Sequence, residues 1–335
     1  MSRYALRHEH LGSWPVVAMI DTVTGTAVRV ARRGATVLEY LVPVHERLRN
    51  VVDGYATTGG MDTLAGSRFA VMCPFANRVA DARYTFDGTS HDLAPGASGT
   101  ARRILHGFLR DADFELVSMD TDAAGAALRL RSEAIRPGVF AGYPFAVDLE
   151  VTFTLNPAGL ELEACMHNVG DGPAPCFFGW HPYLRPGGDG IGDLEMKLPA
   201  RQAIVTDEGL IPLPGAAARR PLDDCPERDF RQWRRIGDTV LDHGFADLEA
   251  DADGRIRSHL RDPESGLHMA MWQTSGVIQV FTGDTLAADA ARRAVAIEPM
   301  QAMTDAFNRP DNADAITLAP GATRTFHCGL DVHAP

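Results

Sequence analysis

The sequence predicts an all-β protein, an antiparallel sandwich or barrel with few short helices. Short apolar segments with partly alternating polar positions recur along the chain, separated by Gly, Pro, Asp or Asn. A period of two residues places one face of a strand inward and the other in solvent. Long amphipathic segments with helical spacing are hard to find, and no strand, glycine-rich loop and helix follow one another. Many short strands without crossover helices are typical of a sandwich or barrel rather than of βαβ units.

The individual elements follow from this alternation and from the turn residues between strands. The alternating segments are, in chain order, 26–31, 35–42, 126–131, 147–155 and 160–166. Turn sequences at 87–88, 156–159 and 253–254 each predict a hairpin between antiparallel strands. The best candidate for a helix is a short turn near 227–235. Because no linker or repeat interrupts the chain, we expect one domain over residues 1–335.

Composition and charge argue against several classes of function. The chain has 335 residues, of which 44 are acidic and 32 basic, for a formal net charge of −12. This charge would repel a phosphate backbone, and no dense basic run overrides it, so nucleic acid is not an expected partner. Lys197 is the only lysine, which makes Schiff-base chemistry improbable.

The sequence also predicts a soluble cytoplasmic protein without a bound cofactor or metal. The N-terminus is too polar for a secretory signal, and no run of eighteen apolar residues predicts a membrane span. The five cysteines are far apart and form no C-x-x-C pair, so we expect buried free thiols in a reducing compartment. The glycine cluster at 187–192 lacks the spacing of a dinucleotide fingerprint and is interpreted as a surface loop.

Two candidate catalytic residues share one local sequence pattern. His181 precedes Pro182, and Glu298 precedes Pro299, each at the end of an apolar segment. A residue before proline is pushed to extended geometry, and proline cannot continue a central strand, so both side chains are expected at strand ends. A histidine and a glutamate facing each other across a polar cleft supply one proton donor and one acceptor. A purely structural role at two strand ends is the alternative.

Two further patches place polar groups inside apolar stretches. Asn77 and Arg78 follow Pro-Phe-Ala and offer several hydrogen bonds in a fixed geometry. His106 precedes Gly107, where glycine allows a backbone or a ligand to approach closely. The alternatives are a buried turn with a surface ion pair for the first patch and a satisfied core histidine for the second.

Six motifs, in this order, resemble those of the aldose 1-epimerase (galactose mutarotase-like) family. They are Asn77-Arg78, Leu105-His106-Gly107, His181-Pro182-Tyr183, Leu241-Asp242-His243, the segment 278–283, and Glu298-Pro299-Met300 with 306–308. The resemblance covers the whole chain. The sequence departs from the family pattern at Phe108, at Phe145 and over 301–305, positions that would shape the pocket and hence the preferred sugar.

The resemblance implies a fold, an activity and a set of roles. The implied fold is a single large antiparallel β-sandwich, the galactose mutarotase-like supersandwich, with the sugar in a cleft on a concave sheet. The implied activity interconverts the α and β anomers of a free aldose such as glucose or galactose, with Glu298 as general base and His181 as general acid. The residues implied to hold the sugar are Asn77, Arg78, His106, Asp242 and Gln279. Trp180 would either stack on the sugar or belong to the core.

Two other functions stay open for the same fold. A hexose-6-phosphate 1-epimerase would need cations near the phosphate, for which Arg102, Arg103 and Arg110 are the candidates. A non-catalytic sugar-binding module is the second alternative, because a fold does not fix a function. In each case the expected partner is a small sugar, and the chain is expected to act as a monomer or homodimer.

Overall fold

The computed structural model describes residues 2–45, 47–188 and 190–334. Strands dominate this part of the chain, and helices are few and short. The strands in chain order are β1 (Tyr4–Leu11), β2 (Trp14–Asp21), β3 (Ala27–Ala31), β4 (Thr36–Val44), β5 (Arg47–Asn50), β6 (Val71–Met72), β7 (Arg83–Phe86), β8 (Thr89–Asp92), β9 (Glu115–Thr121), β10 (Ala126–Ile135), β11 (Val147–Leu155), β12 (Gly159–Asn168), β13 (Ala174–Pro175), β14 (Gly179–Trp180), β15 (Tyr183–Leu184), β16 (Glu195–Lys197), β17 (Ala200–Ile204), β18 (Arg219–Pro221), β19 (Arg234–Arg235), β20 (Asp242–Leu248), β21 (Ile256–Arg261), β22 (His268–Gln273), β23 (Val277–Phe281), β24 (Val295–Met300), β25 (Thr317–Leu318) and β26 (Thr323–His333). The α-helices are α1 (Thr58–Thr63) and α2 (Ala313–Ile316), and the 3₁₀ turns are Ala65–Ser67, Ala80–Ala82, Gly99–Arg102, Gly215–Ala218, Leu222–Asp224, Pro226–Arg228, Ala306–Asn308 and Pro310–Asn312.

Two large antiparallel sheets form the body of the fold. A nine-stranded sheet has the order β19-β16-β21-β22-β26-β12-β11-β10-β9. An eight-stranded sheet has the order β18-β17-β20-β23-β24-β14-β6, with β15 also paired to β24. Aromatic side chains join the two sheets across the interior, since Phe153 of β11 and Trp180 of β14 have ring centroids 6.4 Å apart. The predicted antiparallel β-sandwich is confirmed.

Alternation of apolar and polar residues builds the interior of the sandwich. In β11, Val151, Phe153 and Leu155 are buried, whereas Thr152 and Thr154 between them are partly exposed. Burial of one such apolar side chain stabilises the fold by about 1.5–3 kcal/mol. The predicted strand segments are confirmed, because they fall on β3, β4, β10, β11 and β12.

Two of the three predicted hairpins are confirmed. Strands β7 and β8 pair across Asp87 and Gly88, which both have positive φ, as the favoured two-residue hairpin turns require. Strands β11 and β12 pair across the turn at 156–159, where Asn156 Oδ1 accepts a hydrogen bond from the Gly159 N–H at 3.2 Å.

The third hairpin prediction, at Asp253 and Gly254, is wrong. The preceding strand β20 lies in the eight-stranded sheet, and the following strand β21 lies in the nine-stranded sheet. The turn itself forms, since the Gly254 N–H donates to Asp251 O at 2.9 Å. A turn sequence determines the local backbone geometry but does not determine with which strand the next strand pairs. Strand β20 pairs instead with β17 and β23.

The predicted helix near 227–235 is much shorter than expected. Only the 3₁₀ turn Pro226–Arg228 forms, and the chain then continues to β19. Phe230 is fully buried, and Arg234 Nη1 donates to Pro226 O at 3.0 Å. Burial of Phe230 and the hydrogen bond from Arg234 therefore stabilise this segment, which lacks the repeated hydrogen bonds of a helix.

All five cysteines are free thiols, as predicted, but the predicted burial is wrong for Cys165. Cys73, Cys176, Cys225 and Cys328 are buried, and Cys165 is partly exposed. Among the described residues, no helix is long and apolar enough to cross a membrane.

Candidate active site

Three of the seven candidate site residues lie on adjacent strands of the eight-stranded sheet. Asp242 is the first residue of β20, Gln279 lies in β23 and Glu298 lies in β24. Gln279 and Glu298 are directly opposite each other in the β23–β24 pair, so their side chains share one face of the sheet. Gln279 Nε2 donates to Asp242 Oδ1 at 2.7 Å, which extends the polar row to a third strand.

His181 reaches the same place from the connection between β14 and β15. Its N–H donates to Ala70 O at 3.1 Å, and its carbonyl accepts from the Phe69 N–H at 2.9 Å. Pro182 then fixes the backbone that follows. His181 Nε2 lies 3.4 Å from Glu298 Oε1, and the two residues are only 4% and 2% exposed. The structure thus brings the two candidate catalytic groups together in a site that largely excludes solvent.

The remaining polar atoms of this pair are buried without a partner. Neither His181 Nδ1 nor Glu298 Oε2 has a hydrogen-bond partner within residues 2–45, 47–188 and 190–334. Most buried polar atoms in folded proteins are hydrogen-bonded, and an unpaired one costs about 1–3 kcal/mol. Two such costs at facing groups are typical of a site selected for chemistry rather than for stability.

Burial disfavours the charge on each member of the pair. It raises the pKa of the Glu298 carboxyl well above its ordinary value, and the nearby Asp242 raises this pKa further while Arg78 lowers it. Burial also lowers the pKa of His181 to about 3. At a pH between the two pKa values the pair carries one proton, which lies on Glu298 and leaves His181 neutral, and two neighbouring groups can exchange it.

Arg78 connects the sheet residues to a turn. Its Nη2 lies 3.6 Å from Asp242 Oδ2, and its Nη1 donates to Asn77 Oδ1 at 2.6 Å. Asn77 has a φ of 57°, a left-handed geometry that asparagine tolerates better than most residues. With its Oδ1 engaged by the guanidinium, Asn77 retains Nδ2 as a donor for a ligand.

His106 lies beside both His181 and the Asn77 turn. Its N–H donates to Asn77 O at 2.9 Å, and its ring meets that of His181 edge-on with centroids 5.1 Å apart. Its Nδ1 lies 2.8 Å from Met72 Sδ. A thioether can only accept, so Nδ1 carries the hydrogen and Nε2 is left as an acceptor. Burial first, and then His181, hold the pKa of His106 well below its ordinary value, so the ring is neutral.

The backbone geometry at position 107 explains why a glycine follows His106. The φ of Gly107 is +67°, and an added Cβ would lie 2.2 Å from the backbone oxygen of Cys73. The Phe108 N–H donates to that same oxygen at 2.9 Å. Only glycine allows the His106 turn to lie this close to the end of β6.

All seven predicted site residues are therefore joined by contacts in one constellation, and three further residues support it. Met72 orients His106, and Tyr183 stacks on His181 with ring centroids 5.0 Å apart. Asp305 holds the Arg78 turn, because its N–H donates to Arg78 O at 2.9 Å. None of these three residues was predicted from the sequence to belong to the site. Tyr183 stands in the His-Pro-Tyr motif, which could have indicated it, but no sequence signal marks Met72 or Asp305.

Other candidates from the sequence prove to be structural. Trp180 is completely buried and packs against Phe69 and Phe153, so it is a core residue and does not stack on a ligand. Arg102 is held by Asp81 and Asp92 at 2.7 and 2.9 Å.

The other two arginines near His106 differ from Arg102. Arg110 Nη1 donates to Ser67 Oγ at 3.1 Å, and Arg110 also lowers the pKa of His106. Arg103 is exposed, with no side-chain partner in the described part of the chain. In the same part of the chain, no group of three or more His, Cys, Asp or Glu residues is arranged to hold a metal ion.

Exposure varies across the constellation. The side chains of Arg78 and Asp242 are 23% and 32% exposed, whereas His181, Glu298 and Gln279 are buried. Arg78 and Asp242 therefore form the mouth of the site, and the acid–base pair forms its floor.

Known proteins share both the sequence pattern and the fold. The profile of the family described as aldose 1-epimerase matches residues 16–331. A protein of Escherichia coli (strain K12) named "Uncharacterized protein YihR" is 27% identical over 252 residues, which cover 75% of this chain and 74% of that one. The "Aldose 1-epimerase" of the same organism is 24% identical over 295 residues, covering 80% and 78%.

Solved structures agree on the fold. The crystal structure of galactose 1-epimerase from Lactobacillus acidophilus NCFM matches with a TM-score of 0.81 and 16% identity over 99% of each chain. The match between the family profile and nearly the whole chain determines the assignment. This chain is a member of the aldose 1-epimerase family.

Proposed function

We propose that this protein is a cofactor-independent isomerase that interconverts the α and β anomers of a free aldose such as glucose or galactose. Membership in the aldose 1-epimerase family supports an epimerase or mutarotase activity in general. The observation that carries the proposal is the 3.4 Å separation of His181 Nε2 and Glu298 Oε1 in a buried site.

The reaction needs two proton transfers at adjacent oxygens of the sugar. In the reactive form the pair's one proton has passed from Glu298 to His181 across the 3.4 Å between Oε1 and Nε2. The Glu298 carboxylate then takes the proton of the C1 hydroxyl, and the electron pair left on that oxygen forms the carbonyl. The bond between C1 and the ring oxygen breaks, and the ring oxygen keeps the electron pair and takes a proton from His181. Rotation about the C1–C2 bond presents the other face of the aldehyde. The same two groups then return their protons in reverse, and the ring closes as the other anomer.

The cycle needs one proton on the pair, and this proton must lie on His181 when the ring opens. Ring opening moves one proton onto Glu298 and one off His181, so the pair carries one proton before and after each step. The raised pKa of Glu298 and the lowered pKa of His181 place this proton on Glu298 before the sugar binds, so its transfer to His181 is part of the cost of ring opening. Each proton transfer by a positioned group contributes roughly 10²–10⁴-fold to the rate.

Five residues would hold the sugar in this arrangement. Arg78 and Asn77 supply donors, and Asp242 supplies a carboxylate that Gln279 and Arg78 orient. His106 Nε2 supplies an acceptor, because Met72 fixes the hydrogen on the other nitrogen. A bound sugar loses nearly all of its water hydrogen bonds, so a dense set of donors and acceptors is required.

The structure offers less support to the two alternative functions. Of the three arginines considered for a phosphate, Arg102 is engaged by carboxylates and Arg110 by Ser67. A non-catalytic sugar-binding module has no need for a buried acid and base at 3.4 Å with unpaired atoms. One domain over residues 1–335, a cytoplasmic location and a monomer or homodimer stay predictions.

The decisive experiment is polarimetry of freshly dissolved α-D-glucose and α-D-galactose with wild type and Glu298→Gln. We expect wild type to speed the approach to equilibrium and the variant to lose at least about 10²-fold of that rate, because the amide cannot accept the C1 proton. Glu163→Gln is a matched control, since Glu163 is about half exposed on the nine-stranded sheet. Calorimetric titration measures the binding of galactose to wild type and to both variants.

Each outcome of this experiment selects one function. If wild type accelerates neither free sugar, the anomerase proposal fails. If Glu298→Gln binds the sugar as wild type does and neither protein accelerates mutarotation, the chain is a binding module. If Glu298→Gln retains the full rate, the role given to Glu298 is wrong.

A further inference from the structure

A cavity of about 470 Å³ begins at Arg78, at the mouth of the candidate active site. Its other walls include Arg103, Ile104, Glu208, Leu210 and Ile211. Small-ligand pockets fall in the range of about 300–1,000 Å³, so the cavity is large enough to bind a group of its own. None of these walls belongs to the acid–base pair on the floor of the site.

The position of the cavity follows from the exposure of the site residues. His181 and Glu298 are buried, so C1 and the ring oxygen of a bound sugar must lie at the floor. Arg78 is partly exposed and lies at the mouth, where the opposite end of the sugar would emerge. A substituent on that opposite end would therefore enter the cavity beside Arg78.

The walls fit a neutral polyhydroxyl group. Ile104, Leu210 and Ile211 offer an apolar surface of the kind that packs on the C–H face of a sugar ring. Arg103 and Glu208 add one donor and one acceptor, and within the described residues neither side chain has a hydrogen bond or ion pair. The lining also holds Arg78, Arg102 and Asp81, and carboxylates engage both of these arginines. Among the described lining residues Arg103 is therefore the one cation without an ionic partner, and the cavity has no cluster of free cations to hold an anion.

One rim of the cavity is held in place before any ligand arrives. Asp207 Oδ1 accepts the N–H of Gly209 at 2.8 Å and the N–H of Ile211 at 3.0 Å. Leu210 between them has a φ of 60°, a geometry that the two hydrogen bonds enforce. A preformed rim loses little conformational entropy when it binds a ligand.

We propose that this cavity is a second sugar subsite and that the preferred substrates are reducing disaccharides. The reducing unit occupies the site of His181 and Glu298, and the second, neutral unit lies against Ile104, Leu210 and Ile211. This inference rests on the proposed anomerase activity and adds the class of substrate.

The test compares mutarotation of glucose and galactose with that of maltose, cellobiose and lactose. Wild type is expected to show a kcat/KM for at least one disaccharide about tenfold above that for its reducing monosaccharide, since a sugar unit makes several additional contacts. Ile211→Trp fills the cavity and should reduce kcat/KM for that disaccharide at least about tenfold, with the monosaccharide value within twofold. Ile211→Leu is the matched control and should change neither.

The outcomes separate this inference from the proposed function. If monosaccharides are turned over and Ile211→Trp affects both classes of sugar equally, the subsite is wrong and the anomerase activity stands. If neither class is turned over, both proposals fail. If glucose 6-phosphate is preferred to every disaccharide and Arg103→Ala abolishes that preference, the cavity binds an anion and the neutral-sugar assignment is overturned.

Discussion

The ring of Tyr183 lies parallel to the imidazole of His181, with 5.0 Å between the ring centroids and 10° between the planes. Tyr183 Oη donates to Gly66 O at 2.8 Å, so the tyrosine ring is itself anchored. His106 contacts His181 edge-on. The imidazole proposed to deliver a proton is therefore held by two rings, and its orientation does not depend on the substrate.

Loss of this stacking should reduce catalysis more than binding. Tyr183→Leu is expected to lower kcat about ten- to hundredfold and to change KM less than threefold, because a misplaced proton donor impairs the chemical step. Tyr183→Phe keeps the ring and loses only the bond to Gly66, so its kcat should stay within about threefold. Steady-state polarimetry on folded protein measures both. Equal loss in the two variants would show that the hydroxyl, and not the stack, matters.

Glu298 should reduce the stability of the fold at neutral and alkaline pH. Its pKa is higher in the folded protein than its ordinary value of 4.5. The folded state thus holds this proton more tightly than the unfolded state, and the free energy of unfolding falls as pH rises through the interval between the two pKa values. Each unit of that interval corresponds to about 1.4 kcal/mol.

Glu298→Gln removes this dependence. We expect the variant to be more stable than wild type near pH 8 by on the order of 1 kcal/mol or more, and the difference to shrink toward pH 4. Urea unfolding followed by tryptophan fluorescence at the two pH values measures it. A difference that is the same at both would contradict the raised pKa.

The pH profile of kcat/KM should report the proton shared by the pair. Activity should not fall on the acid side until well below pH 5, because the pKa of His181 is lowered to about 3. The alkaline limb should follow loss of the proton from Glu298, whose pKa Asp242 raises and Arg78 lowers. Asp242→Asn should therefore move that limb to lower pH, and Arg78→Gln should move it to higher pH.

Both variants should also lower the absolute rate, since both residues are expected to contact the sugar. The direction of the shift is thus the informative quantity. A fall in activity centred near pH 6.5, the ordinary pKa of histidine, would mean that His181 is not the buried, neutral group found here.

Gly107 should tolerate no side chain. Gly107→Ala would place a Cβ 2.2 Å from Cys73 O at a φ of +67°, so the turn that carries His106 must move. Gly321→Ala is the matched control, because Gly321 has a φ of +68° and nothing within 4 Å of an added Cβ. The control should lose about 1 kcal/mol of stability, and Gly107→Ala should lose clearly more and most of its activity. Thermal unfolding and polarimetry distinguish the two losses.

The sequence predicted the strands well because their signal is local. Alternation within β11 identified its bounds, and the turn residues at 87–88 and 156–159 identified two hairpins. The error at 253–254 has a physical cause, since a turn determines a change of direction while burial of whole strands decides which sheet each joins.

The site was predictable to the extent that its residues stand in sequence motifs. The contacts between these residues could not be predicted, because they join residues that are far apart in the sequence. Met72 and His106 are 34 positions apart, and Asp305 Oδ1 accepts the N–H of Ala80 across 225 positions. No local pattern of residue types distinguishes a methionine that orients a histidine from one that fills a core.

The residues of the candidate site lie on two kinds of backbone, paired strands and turns. Glu298 and Gln279 stand on paired strands, where a shift of one residue would turn both side chains to the opposite face. Asn77 and His106 stand on turns with left-handed φ, and the rim at 207–211 is another turn. Turns accept substitution and insertion far more readily than paired strands do. In descendants of one ancestral chain, changes in the turns can therefore alter the preferred sugar, while the strands keep Glu298 and Gln279 in place for the proposed reaction.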